Sequence, residues 1–311
     1  MRIMVLADDC GVSDANTSAI IECLDAGRIS GTSLLAGGKA AAHAADLLGG
    51  RWGKNKAVKL GVHLNLFDGC CVADPREIPQ LADEQGGFRF RLGNFLRKML
   101  CASGKDLEKL NAQAAIEWQA QIDAVKSLLR AGAGEDIPLY LDGHQHIHAI
   151  PALRPALTQI LQNNVFTHVR VTEELRCPFP VPAPLYKRVI CVLRRELLTL
   201  WGKNVRRIAE EAGLATPDYF IGGLESGNLS LAGIEYGLRA VAAAGNEDAL
   251  VEIMIHPGGD SGLSEDAATG TFRNFYTSPE REREKNLILS EDFLRLAARY
   301  DAGWNASSPQ R

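Results

Sequence analysis

Two adjacent carboxylates, Asp8 and Asp9, close the first apolar run of the chain. Three later segments end in groups of the same kind. Gly61-Val62-His63-Leu64-Asn65 carries an imidazole and an amide. Asp142-Gly143-His144-Gln145-His146-Ile147-His148 carries a carboxylate and three imidazoles. Glu252-Ile253-Met254-Ile255-His256 carries a carboxylate and a last imidazole. One carboxylate with two imidazoles suits a divalent cation that keeps positions open for water and substrate. Such an ion acidifies its water and polarises a carbonyl. A second carboxylate can then serve as base, and a further histidine as acid toward a leaving group.

Each residue also has an ordinary explanation. An aspartate after a strand commonly caps a helix or holds a turn. A single strand histidine is more often structural, and an HxHxH tract can be an adventitious metal binder or a surface loop. His43, in an Ala-rich helix, and His168, at a strand start, take the ordinary reading outright. Strand period separates the rest. Gly61, His63 and Asn65 share one face, as do Glu252, Met254 and His256, with apolar residues opposite. Polar groups on one face of an apolar strand need partners once buried, and a common centre would supply them. Their joint occurrence at four strand ends favours a shared metal site over four unrelated explanations. The segments are spread over most of the chain, so only a fold with convergent strand ends can unite them.

The elements that must position these residues alternate. Arg2–Asp9, Thr32–Ala36, Lys59–Leu66, Leu139–Asp142, His168–Thr172, Asp218–Ile221 and Leu250–His256 read as strands. Between them lie helices. One is capped by Ser13 and stopped by Gly27, another covers Ala40–Leu48, and two more run from Pro151 to Gln162 and from Ser230 to Ala244. Leu107, Leu110, Ala114, Trp118, Ile122, Val125 and Leu129 recur at helical spacing and form a core-facing stripe. Asp68 to Arg91 reads as a surface excursion, and Asp260 to Thr277 as a Gly/Ser/Thr-rich loop. Ser278-Pro279-Glu280 reads as the start of a helix. Strand–helix alternation predicts a mostly parallel sheet with functional residues at its carboxyl ends. The expected fold is α/β, a single domain over residues 1–311, with an Arg-rich helical insertion or lid at about 178–213.

Composition narrows the partners. The 311 residues are 46% hydrophobic and 23% charged, with a net charge of −4 and no basic run, which argues against nucleic acid. No apolar run reaches the length of a membrane span. The first strand meets Asp8 too soon for a secretory signal, so the expected compartment is the cytoplasm. Seven cysteines without CxxC spacing argue against a disulfide framework and a thiolate zinc site.

With these residues in hand, the sequence resembles the YdjC/ChbG-like carbohydrate deacetylases from Met1 to about Ala298. Ala7-Asp8-Asp9-Cys10-Gly11 is similar to that family's opening block, followed by Asn16 on its helix. The His63 and His144–His148 segments, His256-Pro257-Gly258 after Glu252, and Ser278-Pro279-Glu280-Arg281-Glu282 match its later blocks in order. The resemblance implies a distorted (β/α) barrel of the glycoside hydrolase/deacetylase type. It also implies one divalent metal ion, zinc or magnesium, held by Asp9, His63 and His144, and hydrolysis of an N-acetyl group from an amino sugar or oligosaccharide. Asp8 would be the base that activates water, and His256 the acid toward the departing amine. Asn65, Asp142, His146, His148, Arg170 and Glu252 would support the ligands or meet substrate. Cys10 stands where the family usually has Phe and reads as a small buried hydrophobe. A metal-dependent phosphoesterase, an Fe(II) oxygenase and a non-catalytic carbohydrate-binding protein are the competing readings; a homodimer is a candidate assembly.

Overall fold

The computed structural model describes residues 1–179, 184–259 and 271–304. Six strands form one sheet: β1 Arg2–Cys10, β2 Gly31–Leu34, β3 Lys59–Leu64, β4 Leu139–Gly143, β5 Tyr219–Ile221 and β6 Leu250–Ile255. The order is β4-β3-β2-β1-β6-β5, and every pairing is parallel. Helices α1 Asp14–Asp25, α2 Ala41–Lys54, α3 Leu92–Cys101, α4 Gly104–Ala133 and α5 Arg154–Asn163 cover the first half of the chain. Helices α6 Leu185–Glu211, α7 Leu231–Ala243, α8 Thr271–Tyr276, α9 Glu280–Leu289 and α10 Glu291–Tyr300 follow.

Alternation along β1 explains the layering. Ile3, Val5 and Ala7 join the main core beneath the helices, whereas Met4 and Leu6 point the other way and pack with Tyr140 of β4. The sheet therefore curls so that β1 and β4 share an inner face, making a half-barrel. Its open side is spanned by a short segment. Leu141 N–H donates to His168 O, and Arg170 N–H to Leu141 O, along the β4 edge. Phe220 N–H of β5 donates to Glu173 O at the other edge.

The expected strand at His168–Thr172 is corrected accordingly. It makes one isolated bridge, Leu141↔Val169, because Val169 N–H turns aside to Ala215 O instead of continuing a ladder. The other expected strands are present within a few residues of their predicted ends. The α4 stripe is buried from Leu110 to Leu129 as its spacing predicts. Helix α2 runs beyond Leu48 to Lys54, where a Cβ on Gly49 would lie 2.7 Å from Gly132 of α4. A small residue there is a condition of that helix crossing. Helix α3 falls where no element was expected. Thr271–Tyr276 is helical where a loop was expected, and residues 260–270 of that loop lie outside the described residues. So do residues 180–183, the Pro-rich start of the segment expected to be an insertion.

Helix α6 lies directly on the spanning segment. A Cβ on Gly202 would stand 2.9 Å from the Thr172 backbone and 3.0 Å from Glu173 N. Gly202→Val should therefore push α6 off the strap that carries Arg170, at a cost of about 1–3 kcal/mol. Urea unfolding should read a lower midpoint than for Gly213→Val, whose Cβ would meet nothing within 4 Å although its φ of +67° adds local strain.

Candidate active site

The carboxyl ends of β1, β3, β4 and β6 converge on one cleft of about 560 Å³ lined by Asp8, Asp9, His63, His144, His146 and His256. Asp9 departs from β1 in the left-handed region, φ 66°. That turns its carboxylate away from the alternation that aims Asp8 inward. Asp9 Oδ1 lies 3.1 Å from His63 Nε2 and 2.9 Å from His144 Nδ1. All three side chains are buried. Burial alone would raise the Asp9 carboxyl, but His144 and His63 beside it hold it well below the usual carboxylate range.

His63 is aimed from behind. Its Nδ1 sits 2.8 Å from Asp142 Oδ1, and Ser33 Oγ lies 3.0 Å from that nitrogen and 2.9 Å from Asp142 Oδ2. A carboxylate on Nδ1 fixes the ring and leaves Nε2 free to face an ion. Burial works against protonation of His63, yet Asp142, together with Asp9, pushes it up to about 10. A proton and a metal ion thus compete for Nε2. His144 follows β4 into a turn in which Gln145 and His146 both adopt positive φ, 49° and 57°. Among the described residues, the four non-glycines with positive φ are Asp9, Asp68, Gln145 and His146, and all four line the cleft. Backbone strain is concentrated where side chains must face inward against local preference.

Arg170 lies fully buried behind Asp8. Its Nη1 and Nη2 donate to Asp8 Oδ2 and Oδ1 at 2.6 and 2.7 Å, its Nε to Glu252 Oε1 at 2.5 Å, and Nη2 also lies 3.1 Å from Asp142 Oδ2. Burial disfavours the guanidinium charge, but Asp8, Glu252 and Asp142 around it more than offset that. Burial also raises Glu252, against the opposing pull of Arg170, to about 7. Its Oε2 is buried without a hydrogen-bond partner, a setting that penalises the charged form more than the neutral one.

His256 stands at the end of β6 with Nε2 4.0 Å from Asp8 Oδ2 and Nδ1 3.8 Å from Glu284 Oε2. Glu284 accepts from the His256 backbone N–H, Arg281 donates to the His256 carbonyl, and Phe275 meets the ring edge-on. Asn16 ties helix α1 to the same turn through Pro257 O.

The remaining expected residues separate into two groups. His146 faces the cleft, T-shaped against Phe220, and burial keeps its ring neutral. His148 lies beneath, 3.1 Å from Arg170 O, with burial lowering it to about 4. Asn65 bonds to Asp68 O and Phe67 N–H, so it shapes the turn leaving β3 rather than lining the cleft. Cys10 is buried at the end of β1, and burial pushes its thiol up to about 12, as suits a small hydrophobe. Ser33, Asp68, Arg91 and Glu284 belong to this neighbourhood without having been singled out beforehand. The period-two face of β2 could have flagged Ser33, and the Arg281–Glu284 spacing on a helix could have flagged Glu284.

The donor set fits one divalent ion. Adjacent donor atoms that share an ion at bonds of ~2.1 Å sit about 3 Å apart. Asp9, His63 and His144 present that spacing, and their three ligand atoms all lie within 4.8 Å of one another. A second carboxylate–imidazole group, Asp8, His63 and Asp142, lies close by. Its two carboxylates are already engaged by Arg170.

The raised Glu252 carboxyl has a measurable consequence. Between its ordinary value of 4.5 and about 7, the folded protein holds this proton while the unfolded chain gives it up. Folding stability therefore falls as pH rises through that window. Glu252→Gln should remove a decline of order 3 kcal/mol. Urea titrations at pH 5 and pH 8 check it: the variant should gain on the wild type at the higher pH, and parallel curves would refute a proton on Glu252.

Comparison with known proteins agrees with this architecture. A carbohydrate deacetylase from Danio rerio is 26% identical over 309 residues, covering 93% of this chain and 91% of that one. One from Homo sapiens is 28% identical over 265 residues, covering 83% and 75%. A chitooligosaccharide deacetylase from Escherichia fergusonii is 28% identical over 153 residues, about half of each chain (49% and 52%). Among solved structures, a protein from Enterococcus faecalis V583 named for cellobiose-phosphate cleavage superposes with a TM-score of 0.65 over 98% of both chains at 18% identity, a likeness of fold. Residues 2–299 match the family described as YdjC-like protein, and the chain belongs to that family.

Proposed function

We propose that this protein is a metal-dependent hydrolase that removes the N-acetyl group from an amino sugar or oligosaccharide. The observation that carries the reading is the meeting of Asp9 Oδ1, His63 Nε2 and His144 Nδ1 at one point of a cleft that also holds Asp8 and His256. Curated relatives that match most of the chain bear the name carbohydrate deacetylase, which supports the sugar as substrate. Charge balance supports a single divalent ion. Four buried carboxyl groups, Asp8, Asp9, Asp142 and Glu252, share the site with one guanidinium, which pairs with all but Asp9. With Glu252 protonated, two negative charges remain, which one divalent cation offsets. Two imidazole ligands favour a transition metal such as zinc over magnesium. A two-metal phosphoesterase is disfavoured, because Arg170 occupies the carboxylates a second ion would need.

When bound, the ion supplies Lewis acidity toward the acetamide carbonyl and lowers the pKa of a water. The protein supplies the rest. Asp8 takes the proton of the attacking water, its carboxylate held in one orientation by the two-pronged Arg170 contact. His256, its Nε2 4.0 Å from Asp8 Oδ2, gives a proton to the departing nitrogen, and Glu284 lies 3.8 Å from Nδ1 behind its ring. Asp142 and Ser33 keep His63 from rotating. The whole chain acts as one domain, with α3 and α6 as the cleft walls.

Acetate release from N-acetylglucosamine oligomers tests the reading. Chelation should abolish it, and zinc should restore it. Asp9→Ala should bind no metal and release no acetate; full activity in that variant would refute the metal site. Asp8→Asn and His256→Ala should keep the metal, measured by elemental analysis, and lose about 10²–10⁴-fold in kcat. Full kcat in either metal-loaded variant would reassign the acid–base pair.

A further inference from the structure

Helix α6 carries an apolar stripe that is exposed among the described residues. Leu185, Val189, Ile190, Leu193, Leu197 and Leu200 are 43–75% exposed. At 100° per residue they fall within one face about 140° wide. The opposite face, Leu198, Gly202, Val205 and Ala209, is the buried one. Monomers seldom leave so large a contiguous apolar patch in water without a use for it.

The stripe is continuous with the candidate site. Leu197 belongs to it and also lines the cleft, beside Leu198 and Trp201 of the same helix. Leu92 and Leu96 of α3 make the cleft's other apolar wall. From Leu197 the track runs outward to Leu185, about 18 Å along the helix axis. A sugar alone gives this track no partner, because its hydroxyls gain nothing from exposed leucine. Continuity with the cleft through Leu197 favours an occupant that reaches from the site along the helix over a second copy of the chain.

We propose that the substrate is an N-acetyl sugar bearing an aliphatic chain, the sugar held over Asp9, His63 and His144 and the chain laid along the α6 stripe. This rests on the deacetylase reading for the sugar end only; the chain end is read from α6. The reaction itself is unchanged: water adds to the amide carbon, the C–N bond breaks, and acetate and the free amine of the glycolipid leave.

A series of N-acetylglucosamine β-glycosides with methyl, butyl, octyl and decyl chains tests it, each below its micellar concentration. Binding to the full chain is measured by calorimetry and turnover by acetate release. Affinity should tighten about twofold per methylene, half the effect of full burial. Leu193→Glu and Val189→Glu, at exposed positions outside the cleft lining, should flatten the series while leaving the methyl glycoside unchanged. Unchanged melting temperatures confirm that the variants fold. A flat wild-type series, or a slope that survives both substitutions, overturns the proposal. So does a dimer in sedimentation that Leu193→Glu dissolves, since the stripe would then belong to a second copy. Binding that tightens with chain length while no acetate is released overturns the deacetylase reading and leaves this one standing. Acetate release with a flat series does the reverse.

Discussion

One guanidinium organises the inner end of the barrel. Arg170 is fully buried, and it faces Asp8, Asp142 and Glu252 from three different strands. Ions taken out of water cost several kcal/mol each unless closely paired. Withdrawing Arg170 would leave the Asp8 and Asp142 carboxylates confronting each other and the Glu252 carboxyl in a medium that screens them poorly. The strand ends can approach each other only because this cation stands among them. The geometry of Asp8, and through Asp142 that of His63, follows from it.

This requirement accounts for an irregularity in the fold. A parallel sheet closes into a full barrel when each strand completes a ladder with the next. Here β4 and β5 are joined by a strap that makes one bridge and a few separate hydrogen bonds. The strap needs less regularity than a strand, because its function is to deliver one side chain to the axis. Close packing by Gly202 of α6 keeps it there. The same helix continues beyond the strap to form one wall of the cleft, so the element that seats Arg170 also limits what can approach Asp8.

The strand ends are legible in the sequence because apolar runs with period two stop abruptly at Asp8-Asp9, His63, Asp142 and His256. Helix α4 is legible because its stripe is long. What escapes reading has a physical reason in each case. Ser33 sits on a strand of only four residues, so the period-two face that would mark it is too short to stand out. Helix α3 starts without a capping side chain, and its apolar stripe of Leu92, Phe95, Leu96 and Met99 spans only ten residues after a long irregular excursion. The strap imitates a strand in sequence, because alternating Val169, Arg170 and Val171 would suit a ladder, and only the distant Ala215 diverts it. Asp68 lies in a long excursion whose path is set by Glu117 on α4, which accepts from Val72 and Ala73 some 45 residues away. Pairings of that range leave no periodic trace.

The site thus divides into a floor and walls with different origins. The floor is built from strand ends whose residue types are constrained by charge pairing and ligand spacing, and those constraints produce recognisable blocks of sequence. The walls, α3 and α6, need only present apolar side chains at helical spacing above the floor, and many sequences meet that condition. Chemistry at the floor can therefore stay fixed while the walls change what is admitted to it. In this chain the walls are leucine-rich to an extent that the paired charges of the floor do not demand. Under the proposed reading, selection of substrate is to be sought on α6, outside the blocks that mark the family, where the described residues leave apolar surface exposed.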